Sequence, residues 1–113
     1  MKKIPPKLVK ELECDPFYEK CCISGRNDEK IEWHHNLIYA GSQVNEKFCI
    51  LPLLQSIHRE IVKHKEKCNW IMLNRATPEE LMKYSKVINY RRMRDNLNKK
   101  YGIYIERKPI HNK

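Results

Sequence analysis

Residues Ile31-Glu32-Trp33-His34-His35-Asn36-Leu37-Ile38, IEWHHNLI, set two of the chain's five histidines side by side. Ile31, Trp33 and His35 alternate with Lys30, Glu32 and His34, the period-two pattern of a half-buried strand. Just upstream, Cys21-Cys22-Ile23 is short and apolar, and Ser24-Gly25-Arg26-Asn27-Asp28 is rich in turn formers. Together these segments predict a β-hairpin whose second strand ends on the histidine pair. A half-buried strand carrying two ordinary imidazoles would need no further account. A third histidine, His58, follows 23 residues after His35, in the first turn of a predicted helix. Imidazoles supplied by a hairpin and a helix are able to hold a divalent metal between them.

Working outward, Asn36 to Lys47 contains Gly41, Ser42, Gln43 and Asn45 and reads as a loop. Phe48 to Leu54 is an apolar run broken by Pro52. The helix after it is expected to start near Ser56, a good N-cap, with Leu54, Ile57, Ile61 and Val62 on one stripe. Lys63, Lys65 and Lys67 load its end with positive charge, which suits a helix C-terminus. Thr77-Pro78-Glu79-Glu80 is a strong helix start: Thr77 caps, Pro78 takes the first position and Glu80 completes a capping box. That helix is expected to end near Lys86. A last helix spans about residues 89–101, with Tyr90, Met93, Leu97 and Tyr101 as its apolar stripe and Gly102 as its stop. At the other end, residues 1–13 read as a basic lead-in and one short helix, and Asp15-Pro16 marks a turn.

The chain of 113 residues has room for one domain with a single modest core. Its 23 Lys and Arg against 14 Asp and Glu give a net charge of +9. Such a surplus favours a polyanionic partner, nucleic acid above all, although charge alone also serves solubility. No apolar run spans a bilayer and no apolar segment follows Met1-Lys2-Lys3, so the expectation is a cytoplasmic protein without membrane contact. Five cysteines, two of them adjacent, make a poor disulfide framework, and reduced thiols are expected. Two readings of them stand: small buried side chains, or a mixed metal site using Cys21 or Cys22, Cys49 and a histidine.

Several of these segments resemble one family. Cys21-Ile23-Ser24-Gly25, Trp33-His34-His35, Ile50-Leu51-Pro52-Leu53 and Ser56-Ile57-His58-Arg59-Glu60-Ile61 look like an HNH endonuclease with the ββα-metal fold. The motif match covers roughly residues 21–64. Trp70 to Arg75 with Thr77 to Glu80 is similar to tails on small bacteriophage nucleases of this kind, which implies the host cytoplasm. The implied fold class is α+β: an HNH core over residues 17–66, with an N-terminal arm and helix over 1–16 and a helical extension over 67–113, in one domain.

The resemblance implies hydrolysis or nicking of DNA phosphodiester bonds. His34 and His58 would be ligands to a divalent metal, Mg²⁺ or Mn²⁺ first and Zn²⁺ or Ni²⁺ next. His35 would be the general base, its ordinary pKa of about 6.5 lying near working pH. The chain departs from the family at the middle asparagine, whose usual position holds Cys49; Asn45 is the favoured replacement, with Asn36 as the other candidate. Val62 stands where a further helix histidine is common, and His64 reads as a surface residue. No paired cysteines stand at Leu54 and Ile57, so Cys21 or Cys22 is expected to pack. Arg59, Lys63, Arg91, Arg92 and Arg94 are the candidate phosphate contacts. Glu60 either supports a ligand or faces solvent, Trp33 and Trp70 are expected in the core, and His111 lies in the tail. One objection stands, since adjacent strand residues point to opposite faces. Two alternatives to a nuclease remain: a catalytically inactive nucleic-acid-binding module on the same scaffold, and a basic partner-binding protein with no metal.

Overall fold

The structure, a computed structural model, describes residues 3–106. The described residues form an α+β fold in which five helices surround a two-stranded antiparallel sheet. Helix α1 (Pro6–Cys14) and a 3₁₀ turn (Pro16–Glu19) lead to strand β1 (Ile31–His35). Strands β2 (Ile38–Tyr39) and β3 (Ser42–Gln43) form a small hairpin, and β4 (Ile50–Leu54) returns beside β1. Helices α2 (Gln55–Arg59), α3 (Ile61–Arg75), α4 (Pro78–Lys83) and α5 (Tyr90–Tyr101) follow.

The partner of β1 differs from the expected one. Cys21 to Ile23 forms no strand: the Gly25 amide donates to the Cys21 carbonyl at 2.8 Å, closing a turn. Strand β4 pairs with β1 instead, with Ile31 opposite Leu54, Trp33 opposite Pro52 and His35 opposite Ile50. The reason is burial. All five residues of β4 are buried, and beside β1 the strand lies between apolar clusters on both faces, which hides so continuous an apolar run. Pro52 does not break the strand, because its missing N–H points to the edge away from β1. There its carbonyl accepts from the Cys22 amide at 2.9 Å.

The presumed loop holds the β2–β3 hairpin, whose turn residues Ala40 and Gly41 have φ of 51° and 79°. Two successive positive φ values are what a two-residue hairpin turn requires. The helix after β4 begins at Gln55, and Ser56 lies inside it, its amide donating to Glu29 Oε1 at 3.2 Å. This helix breaks at Glu60, then continues as α3 to Arg75, well past Lys67. A core–extension boundary at residue 66 therefore falls within α3. Helix α4 keeps its capping box but stops at Lys83. Helix α5 starts on an Asn89 cap and ends at Gly102, φ 92°.

Two apolar clusters clamp the sheet. Leu51 and Leu53 meet Cys68, Ile71 and Met72 of α3, with Leu81, Tyr90 and Leu97 behind them. Ile50 and Trp33 meet Leu12 and Tyr18 on the N-terminal side. Each such Leu or Ile contributes about 1.5–3 kcal/mol by leaving water. No helix among the described residues is long and apolar enough to cross a membrane.

Candidate functional site

Strand alternation decides where the histidines go. Glu32 and His34 share one face of β1, the face crossed by α2 and α3. His35 shares the other face with Trp33, towards the N-terminal cluster. β1 stays regular up to His35 and ends there, so the two imidazoles leave opposite faces at the strand's last two positions.

On the helix side, the rings of His34 and His58 stand edge to face with centroids 5.0 Å apart. His58 Nδ1 is 2.9 Å from Glu32 Oε1. Gln55 Nε2 lies 3.5 Å from the other carboxylate oxygen. His34 Nε2 is 3.1 Å from Asn36 Oδ1, and Asn36 Nδ2 donates to Asn69 Oδ1 at 3.0 Å. Burial, then the neighbouring His58 and His35 imidazoles, hold His34 down at a pKa of about 4. Its ring is therefore neutral at pH 7. The bond to His58 holds the Glu32 carboxyl below the usual carboxylate range.

On the other face His35 is 7% exposed. Its Nε2 lies 2.7 Å from Asn45 Oδ1, while Asn45 Nδ2 donates to the Lys3 carbonyl at 2.9 Å. The Lys3 carbonyl fixes the amide orientation of Asn45, and the Met72 sulfur, which accepts from Asn36 Nδ2 at 3.4 Å, fixes that of Asn36, so an oxygen faces the imidazole in both cases. An oxygen only accepts, so Nε2 of His34 and of His35 carries the proton. The same reasoning at Glu32 puts a proton on His58 Nδ1. In its neutral form an imidazole so tethered presents its other nitrogen, Nδ1 in His34 and His35 and Nε2 in His58, as a lone pair.

His34 and His58 are the residues that would hold a divalent ion. Two imidazoles sharing an ion, each nitrogen about 2.0–2.1 Å away, keep their ring centres within about 6.5 Å, and the observed spacing lies inside that limit. Among the described residues no three His, Cys, Asp or Glu side chains are grouped to hold a metal. A cysteine–histidine site is thus not assembled. Cys21, Cys49 and Cys68 are buried among apolar side chains, and burial pushes the Cys22 and Cys49 thiols up.

The other candidates divide. Arg59 is exposed, as are Arg91 and Arg92 at the start of α5. Lys63 pairs with Glu60 at 3.1 Å, and Arg94 with Asp95 at 3.3 Å, so both are partly neutralised. Glu60 is exposed and turns to Lys63, away from the histidines. His64 is half-buried on α3, and His111 lies outside the described residues. Sequence reasoning missed Glu32 and Asn69. Glu32 had a signal, because period two puts it on the face of His34; Asn69 had none.

In comparisons with protein-family models, curated proteins and solved structures, the chain has no match.

Proposed function

We propose that the chain is a metal-dependent endonuclease of the HNH type acting on DNA, with a ββα-metal core formed by β1, β4 and the α2–α3 helix. One observation carries the reading: three imidazoles are each tethered through one nitrogen to an acceptor, His34 and His58 side by side on one face of β1 and His35 on the other. A carboxylate behind a ligating imidazole fixes its ring and raises its donor strength, and Glu32 stands in that relation to His58. His34, kept neutral by burial, needs to lose no proton before it ligates.

In this reading His34 and His58 hold the divalent cation, Mg²⁺ or Mn²⁺ first. When bound, it supplies positive charge to the scissile phosphate and the leaving oxygen. His35 takes the proton of the attacking water at Nδ1, while Asn45 holds Nε2–H and so fixes the tautomer. Exposed Arg59, Arg91 and Arg92 attract the backbone phosphates.

A specific observation favours a second reading. His35 is nearly buried and faces away from the His34–His58 pair, which suits a nucleic-acid-binding module without catalysis. Plasmid cleavage decides between them. With added Mg²⁺ or Mn²⁺ the protein should nick or linearise supercoiled DNA, and His35→Ala should slow this about 10²–10⁴-fold with far-UV circular dichroism unchanged. Equal cleavage by the variant removes His35 from the base role. Calorimetric Mn²⁺ affinity unchanged in both His34→Ala and His58→Ala removes the metal site.

A further inference from the structure

A cleft of about 850 Å³ lies between the 3₁₀ turn after α1, α3 and the segment following α5. Phe17, Trp70, Tyr101 and Tyr104 wall it, and Lys20 and Lys67 stand among its lining residues. Its volume lies within the range of small-molecule sites, about 300–1,000 Å³. Asn69, which holds Asn36 beneath His34, is also on α3. Lys67 and Ile71 are each two residues from it, about 160° around the helix at 3.6 residues per turn. The cleft is therefore on the far flank of α3 from the histidines, and the proposed cleavage site does not account for it.

The aromatic walls are held in place. Trp70 Nε1 donates to Asn98 Oδ1 at 2.9 Å and lies 3.2 Å from the Gly102 carbonyl. The Tyr101 hydroxyl donates to Glu66 at 2.7 Å. Tyr104 stands edge-on to Trp70 with centroids 5.2 Å apart. Arg75 covers one face of Phe17 at 3.6 Å. With the indole N–H already bonded, Trp70 offers a ring surface and no donor. Lys20 and Lys67 are exposed and have no acidic partner among the described residues, against one lining carboxylate, Glu19. Fixed π-faces beside free cations are the chemistry of a base that stacks and a phosphate that pairs.

We propose that this cleft binds an unpaired nucleotide of single-stranded DNA, its base against Trp70 and Tyr104 and its phosphate at Lys20 and Lys67. The proposal rests on DNA being the substrate and adds a preference for DNA with a single-stranded portion. A base paired within a duplex is stacked on its neighbours and does not enter. Recognition is tolerant of sequence, since stacking uses the face common to all bases.

The test uses the full chain in EDTA at low salt, with a fluorescently labelled twelve-residue oligothymidylate and a duplex of equal length. The single strand should quench tryptophan fluorescence saturably, and Trp70→Phe should remove the quench while anisotropy still reports binding. Tyr104→Ala should weaken single-strand affinity about 5- to 150-fold, the worth of one stacked base, and leave duplex affinity unchanged. Should Tyr104→Ala disturb packing, exposed Lys67→Gln keeps the fold and should flatten the single-strand salt dependence. Absence of quenching, equal quenching by the duplex, or single-strand affinity unmoved in both variants overturns the proposal. Plasmid cleavage without a Trp70 response sinks the cleft alone. Single-strand binding at Trp70 without plasmid cleavage sinks the nuclease and leaves the cleft standing.

Discussion

Asn45→Ala isolates the orienting role from the chemical one. Asn45 touches His35 at 2.7 Å and the Lys3 carbonyl at 2.9 Å, and nothing in the His34–His58 pair. Removing it leaves His35 in place with its Nε2–H unpaired beside a ring that is 7% exposed. A buried donor without a partner costs about 1–3 kcal/mol, which sets the expected loss in urea unfolding. The Lys3 side adds little, because water replaces Asn45 at an exposed carbonyl. The ring can then rotate, or move its proton to Nδ1, the nitrogen that must accept one. Orienting contacts of this kind are worth about 10–100-fold in rate, roughly 1.4–2.7 kcal/mol of barrier. Single-turnover cleavage of supercoiled plasmid should therefore slow by that factor, less than for His35→Ala, with Mn²⁺ affinity unchanged. Asn45→Asp keeps an acceptor in place and should recover most of the rate. Two results refute the reasoning: a rate within twofold of wild type in Asn45→Ala, or no recovery in Asn45→Asp.

Metal-free protein should lose stability in acid through His34. Above pH 6.5 neither state is protonated there; between 6.5 and about 4 the unfolded chain takes the proton first, and below 4 the loss is complete. The full shift corresponds to about 3 kcal/mol, which solvent at the half-buried ring reduces to about 1–2 kcal/mol. Urea unfolding in EDTA at pH 7 and 4.5 measures it, and an acid limb equally steep in His34→Ala excludes this origin. The double variant Arg91→Ala and Arg92→Ala should weaken duplex binding evenly across sequences and flatten the slope of log K against log salt by up to about two. An unchanged slope takes the start of α5 off the DNA.

What was legible in the sequence was local. Thr77 with Glu80 and Asn89 with Gly102 mark the starts and stop of α4 and α5 because caps act within a turn of themselves. The partner of β1 was not legible. Cys21 to Ile23 lies a turn's length away and β4 a whole loop away, and only the burial of five consecutive apolar residues makes the distant pairing win. Pro52 misled for a related reason: whether a strand tolerates proline depends on which edge its nitrogen faces, and register sets that. The approach of His58 to His34 was readable from their elements, whereas the carboxylate behind His58 was not: Glu60, open between supporting a ligand and facing solvent, is exposed. The helix breaks at Glu60 itself, which turns that side chain to Lys63 and leaves the place to Glu32 across the sheet.

The adjacency of His34 and His35 is a separation as much as a pairing. A regular strand sends neighbours to opposite faces, so the two imidazoles answer to different parts of the chain. His34 is held through Asn36 by Asn69 on α3, and His58 by Glu32 from β1. His35 is held through Asn45 by the Lys3 carbonyl of the N-terminal arm. Loosening α3 should therefore disturb ion binding before the base, and displacing the arm should disturb the base before ion binding. A single cluster of side chains packed together would give no such order. Helix α3 and the arm thus hold opposite faces of one strand, so the proposed chemistry belongs at the end of β1, where His34 and His35 are the last two residues.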